Sequence, residues 1–189
     1  MMEEKVSIVI PAYNAAVVID RTVDSIKKQT YSNWELLIVN DGSKDHTGEV
    51  IDQIAASDER IKALHQQNGG EIAARRTGAI HASGEWVMFI DADDLLPDTA
   101  VSSLMKYQKT GAEVIVGTMH IQNFKPTGEK FEDYIYENRK TGLMDGTEFV
   151  NGVMKYYIQM AAWGKLYKKS VLKAFPGAWT GRFVRIQIC

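Results

Sequence analysis

Apolar runs of strand length alternate with helix-period segments across residues 6–117. The runs 6–10, 34–39, 61–65, 86–90 and 113–117 are rich in Val, Ile, Leu or Phe, and residues 16–29, 47–56, 71–82 and 98–109 carry apolar side chains at helical spacing. A βαβα succession of this kind predicts an α/β fold: a mainly parallel sheet with helices on both faces, because parallel neighbours need crossover connections. Continuous apolar runs, rather than strict alternation, are what strands buried on both faces require.

Beyond Thr118 the pattern changes. Phe124-Lys125-Pro126-Thr127-Gly128 is a turn signal, followed by a polar, tyrosine-rich stretch to Arg139 that predicts a hairpin or a mobile loop. Asp145-Gly146-Thr147-Glu148 has the form of a helix start ahead of residues 149–156. Residues 183–188 alternate in the manner of an edge strand that completes the sheet. No internal repeat or low-complexity linker is visible.

With 189 residues, 45% of them hydrophobic and 24% charged, the chain suffices for one domain with a substantial core. The expected organisation within it is a βα half over 1–118, a further segment over 119–175 and a basic tail over 176–189. A net charge of −2 provides no general drive toward nucleic acid, so no nucleic-acid partner is expected. The four histidines (His46, His65, His81, His120) form no HxH or HExxH pair, and surface or strand-edge positions are expected for them. Cys189 is the single cysteine, so no internal disulfide is possible and a reducing, cytoplasmic setting is expected. Met1-Met2-Glu3-Glu4-Lys5 is charged, unlike a signal peptide, and no apolar run approaches transmembrane length. Charge is skewed: residues 149–189 contain seven Lys or Arg and no Asp or Glu. Such a basic stretch could face a membrane surface or a phosphate-bearing substrate, or could simply be a solvated face.

The run Val87-Met88-Phe89-Ile90-Asp91-Ala92-Asp93-Asp94 delivers three carboxylates at the end of an apolar strand. One acid would serve as a cap or first-turn charge for the following helix. Three in four residues point to a cation or a metal-bound phosphate, and Mg²⁺ or Mn²⁺ prefers oxygen ligands. In a parallel sheet the segments after successive strands converge on one crevice. Those segments are Pro11-Ala12-Tyr13-Asn14, Asn40-Asp41-Gly42-Ser43, Gln67-Asn68-Gly69-Gly70 and the acidic triplet. Neither GxGxxG nor GxxxxGK[ST] occurs, which argues against the usual dinucleotide and P-loop sites. Asp41 is placed to accept a base or ribose hydrogen bond or to shape a turn, and Arg75 to meet anionic or carbonyl oxygens.

Taken together these residues resemble the inverting family-2 glycosyltransferases of GT-A fold. The matching text is Ser7-Ile8-Val9-Ile10-Pro11-Ala12-Tyr13-Asn14, Val39-Asn40-Asp41-Gly42-Ser43 with Asp45 and Thr47, Ala74-Arg75, Gly78, Gly84-Glu85, Phe89-Ile90-Asp91-Ala92-Asp93-Asp94 and Trp163-Gly164-Lys165-Leu166-Tyr167. The resemblance implies a nucleoside-diphosphate sugar, with UDP the expected nucleotide, as donor and a sugar or glycolipid hydroxyl as acceptor. It implies work on cell-surface polysaccharide or glycoconjugate at the inner face of a membrane, with peripheral membrane contact. By the same resemblance Pro11, Ala12, Tyr13 and Asn14 would line the donor pocket, and Asp41 would accept a uracil-type ring N–H. Arg75 would hold base or phosphates. Asp91 and Ala92 would meet ribose or donor sugar, and Asp93 would coordinate Mn²⁺ or Mg²⁺. Arg76 stands where that family often has Asn.

The family's catalytic base is an acidic residue in a Glu-Asp-type motif after the Lys-Leu-Tyr segment and its helix. Here residues 170–175 could supply that helix, but Pro176-Gly177-Ala178-Trp179-Thr180-Gly181-Arg182 follows with no acid. The expectation is either a chain truncated or altered at its C-terminus, with its donor half intact, or a module that binds nucleotide-sugar without transferring it. Glu129, Glu132, Asp133, Glu137, Asp145 and Glu148 are the acids left to substitute for the missing base.

Overall fold

The computed structural model describes residues 4–124, 129–138, 141–145, 147–148, 164–172 and 185–188. The first four strands and three helices follow the expected order: β1 (Val6–Ala12), α1 (Ile19–Lys27), β2 (Trp34–Asp41), α2 (Thr47–Ser57), β3 (Ile61–Gln66), α3 (Glu71–His81) and β4 (Trp86–Phe89). Then come α4 (Ala100–Met105), β5 (Val114–Val116), the antiparallel hairpin β6 (Met119–Phe124) and β7 (Lys130–Tyr136), β8 (Gly142–Asp145), β9 (Lys165–Lys168) and β10 (Arg185–Ile188). Among the described residues the main sheet runs β3-β2-β1-β4-β9-β5-β10-β8. β3, β2, β1 and β4 are mutually parallel, β9 lies antiparallel between β4 and β5, and β10 is parallel to β5.

Alternate residues of the central strands enter two separate cores. Ile8, Ile10, Leu36, Ile38, Trp86 and Met88 pack with Ile19, Val23 and Ile26 of α1, Ile51 of α2 and Val101 of α4. Val9, Leu37, Val39, Val87 and Phe89 pack on the opposite face with Ala74 of α3. Small residues let α3 sit close: a Cβ on Gly78 would lie 2.2 Å from Val9 Cγ1. Burial on both faces is the reason these strands read as unbroken apolar runs.

Several boundaries differ from expectation. α1 begins at Ile19 rather than at residue 16, and the amides of Ala15 and Ala16 ahead of it donate to Thr47 Oγ1 (2.8 Å) and Asp45 Oδ2 (3.3 Å) in the next loop. α4 stops at Met105, and a 3₁₀ turn, Gln108–Thr110, ends at Gly111 with φ of 80°. The stretch after Thr118 is realised as a hairpin. β10 pairs with β5 on one side and β8 on the other, so it is an interior strand and not an edge. β9 draws Lys165, Leu166 and Tyr167 into the sheet, with Lys165 buried and its ammonium pushed down to about 8 by that burial. Asp145 and Glu148 do form a helix start: Glu148 N–H donates to Asp145 Oδ1 (2.9 Å) and Asp145 N–H to Glu148 Oε2 (3.2 Å), a reciprocal capping box. The helix expected over 149–156, Trp163, the segment 176–182 and Cys189 lie outside the described residues.

Candidate donor site

At the carboxyl edge of the parallel strands, where strand order reverses beside β1, lies a cleft of about 480 Å³. Pro11, Ala12, Tyr13, Asn14, Asp41, Asp91, Ala92 and Asp93 all line it. Arg75, the remaining predicted site residue, is not on the wall but behind Asp91, its Nη2 2.6 Å from Asp91 Oδ1. Asn68, Gly70 and Glu71 also line the cleft. Asn68 and Gly70 belong to a segment the sequence singles out without assigning them roles. Glu71 has no distinguishing sequence signal, since an acid in a first helical turn is ordinary.

Asp41 is 3% exposed and holds the β3–α3 loop. Its Oδ1 accepts from Gln66 Nε2 (2.7 Å) and Gly69 N–H (2.9 Å), and its Oδ2 from Gly70 N–H (2.8 Å). A carboxylate has about four lone-pair sites, so about one remains on Oδ2. Asp41 therefore shapes a loop and still has room for a ligand donor. Glycine is required beside it: Gly42 has φ of 65°, and a Cβ there would lie 2.7 Å from Asn68 N.

The remaining motif polar groups tie the loops together. Asn14, at φ of 50°, donates its N–H to Ser43 Oγ (3.0 Å) and accepts Lys44 N–H on Oδ1 (2.8 Å). Asp45 accepts both the N–H (3.0 Å) and the hydroxyl (2.5 Å) of Thr47. Ser43, Asp45 and Thr47 thus act as scaffold for the β1–α1 loop. Tyr13 is 46% exposed at the cleft, so its ring is not packed away beneath the loop.

The acid-bearing loop after β4 has little regular structure and is braced from α1 and from Gln29 just beyond its end. Ala92 C=O accepts Thr22 Oγ1–H (2.7 Å), Leu96 N–H donates to Ser25 Oγ (3.1 Å), and Gln29 joins Pro97 C=O (2.7 Å) to Val101 N–H (3.0 Å). Burial holds the Asp91 carboxyl above the usual carboxylate range despite Arg75, with Glu71 and Asp93 adding to the rise. Asp94 is pushed up to about 6, first by burial and then by Asp91 and Asp93. Asp93 is exposed and its carboxylate has no hydrogen-bond or ion-pair partner among the described residues. Crowded like charges with oxygen-only donors fit a hard dication. No group of three ligating side chains is gathered among the described residues, so a metal on Asp93 would draw further ligands from a bound diphosphate or water.

The acids considered as substitute bases are partly engaged elsewhere. Asp133 is bound by Lys130, by His120 Nε2 (2.5 Å) and by Gln122, which hold it well below the usual carboxylate range. Asp145 and Glu148 cap one another.

The profile describing Glycosyl transferase family 2 matches residues 7–169. Glycosyltransferase GlyA of Streptococcus pneumoniae is 34% identical over 179 residues, which cover 89% of this chain and 25% of that protein. Glycosyltransferase GlyG of the same organism is 35% identical over 136 residues, 71% of this chain and 44% of that protein. The chain thus spans about a quarter of the length of the first of these relatives and less than half of the second. Among solved structures, S. aureus TarS 1–349 in complex with UDP-GlcNAc superposes with a TM-score of 0.73 at 20% identity, covering 98% of this chain and 56% of that one. The mannosyltransferase PcManGT from Pyrobaculum calidifontis, in complex with GDP-Man and Mn²⁺, gives 0.67 at 18% identity, covering 96% and 49%. With its fold shared by these structures and its family profile matched across most of its length, the chain belongs to glycosyl transferase family 2.

Proposed function

We propose that this chain is the donor-binding domain of a glycosyltransferase that moves a sugar from a UDP-sugar to an acceptor hydroxyl with inversion at the anomeric carbon. The observation that carries the reading is the convergence of eight sequence-selected residues, from Pro11 to Asp93, on one cleft. Support comes from structures of the same fold in complex with UDP, with UDP-GlcNAc, and with GDP-Man and Mn²⁺. The open lone pair of Asp41 would accept the uracil N–H, and Tyr13 would cover the base. Asp91, oriented by Arg75, would meet ribose or sugar hydroxyls. Asp93 would hold a divalent cation, which as a Lewis acid stabilises charge on the departing diphosphate. The acceptor would be a sugar or glycolipid at a membrane surface; among the described residues no helix is long and apolar enough to cross a membrane.

The acceptor's proton needs a base, and positioned general-base catalysis is worth on the order of 10²–10⁴ in rate. Residues 149–189 contain no Asp or Glu, and Asp133, Asp145 and Glu148 have structural partners. This favours a second reading, a nucleotide-sugar-binding module that holds the donor and transfers it slowly or not at all. Calorimetric titration with UDP, CDP and GDP, with and without Mn²⁺, tests the donor site, and sugar transfer assayed in parallel separates the two readings. Absence of binding by every diphosphate would sink both.

A further inference from the structure

The cleft wall carries Asp41, Glu71, Asp91 and Asp93 but no Lys, Arg or His among its lining residues. A diphosphate entering it meets four carboxylates. Asp41 is balanced by loop and helix amides, and Asp93 awaits a cation. The other two share a single guanidinium. Arg75 Nη2 binds Asp91, while Nη1 pairs with Glu71 one turn earlier on α3. The Arg75 side chain is 15% exposed and Glu71 is 59% exposed, so Glu71 is the partner free to swing into solvent. Arg75 Nε is buried without a hydrogen bond, which shows that the present arrangement leaves this cation incompletely satisfied.

We propose that Glu71 gates the donor site by occupying, with its carboxylate, the guanidinium face that a ligand phosphate takes. Diphosphate binding exchanges Glu71 for phosphate on Arg75 Nη1, while Nη2 keeps Asp91 in place. The exchange is feasible because Glu71 is the solvent-exposed member of the pair and can leave it for water, whereas a diphosphate presents more charge to the same nitrogen. Glu71 also lies in the first turn of α3, where an anion is favoured, so it mimics the ligand it excludes. The inference rests on the donor-site reading above and adds a residue that tunes affinity against the ligand.

Titration of the parent, Glu71→Gln, Arg75→Ala and the double variant with UDP and GDP, and with uridine and guanosine, tests it. Glu71→Gln is expected to bind the preferred diphosphate roughly two- to tenfold more tightly. Affinity for the matching nucleoside should stay unchanged, and the gain should vanish in the Arg75→Ala background. An equal gain for the nucleoside, a gain that survives Arg75→Ala, or unchanged or weaker diphosphate binding by Glu71→Gln would overturn the gate while leaving the donor site standing. If parent and variants bound neither diphosphate, the donor-site reading and the gate would fall together.

Discussion

Asp41 and Asp93 show how differently two acids of one cleft are employed. Asp41 accepts three intramolecular hydrogen bonds and retains about one lone pair, whereas Asp93 is exposed and unpartnered among the described residues. An acceptor-only carboxylate favours a ring that presents N–H over one that presents a lone pair. The parent should therefore bind UDP more tightly than CDP, and Asp41→Asn should lose that preference together with roughly tenfold or more in UDP affinity. Equal binding of CDP and UDP by the parent would remove Asp41 from base recognition. For Asp93→Ala the expectation is different: UDP still binds, but added Mn²⁺ no longer strengthens it, since the cation loses its protein anchor. Calorimetry showing undiminished Mn²⁺ enhancement in that variant would dismiss Asp93 as the ligand.

Among elements, α1 has two jobs, and its sequence advertises only one. Ile19, Val23 and Ile26 form the apolar stripe that packs on the sheet. Thr22 and Ser25 on the same helix, with Gln29 just beyond its end, instead satisfy backbone groups of the loop that carries Asp91, Asp93 and Asp94. Gln29 alone links Pro97 C=O to Val101 N–H, and its removal would leave the buried Val101 N–H unpaired, while Pro97 C=O would keep the Ala100 N–H. Gln29→Ala should destabilise the domain by about 1–3 kcal/mol and, by loosening the acid loop, weaken Mn²⁺-dependent UDP binding more than metal-free binding. Denaturant unfolding and paired titrations measure both effects. A variant of parental stability would show the brace to be dispensable.

At the scale of the molecule, the end of the sheet remote from the cleft is fastened by Glu35. It is buried and accepts from Ser7 Oγ (2.6 Å), from the Ser83 amide (2.5 Å) and hydroxyl (2.8 Å), and from Lys62 (3.0 Å). Gly84 fits there because a Cβ would lie 2.5 Å from Lys5 O, and its N–H donates to Ser7 Oγ (2.9 Å). Burial alone would raise the Glu35 carboxyl, but hydrogen bonds from Ser7, Ser83 and Lys62 outweigh it and bring the pKa from 4.5 to about 2. A folded pKa below the unfolded one contributes stability that is present above about 4.5 and lost as the pH falls toward about 2. Between pH 6 and pH 3 the parent should lose on the order of 1–2 kcal/mol through this group. Glu35→Gln should be less stable at pH 6 and show a shallower acid limb. Identical acid limbs for parent and variant would exclude Glu35 as the titrating group.

Much of this was legible in the sequence because it depends on local order along the chain. Period and run length fixed the strands and helices up to β4, and parallel pairing obliged the segments after them to share an edge, so distant motifs could be assigned to one cleft before any distance was known. The Asp-Gly turn and the acidic triplet stood out because each departs from what a buried strand or plain turn needs. Only the tertiary structure decided the rest, since it depends on which groups meet across sequence separations that no period encodes. β9 and β10 are short runs whose places between other strands are set by available hydrogen-bonding edges, not by their own pattern. The turn leading into α1 is held by side chains about thirty residues away that accept the Ala15 and Ala16 amides. Glu71 looked like any first-turn acid until folding set its partner Arg75 against Asp91, leaving one cation between two carboxylates.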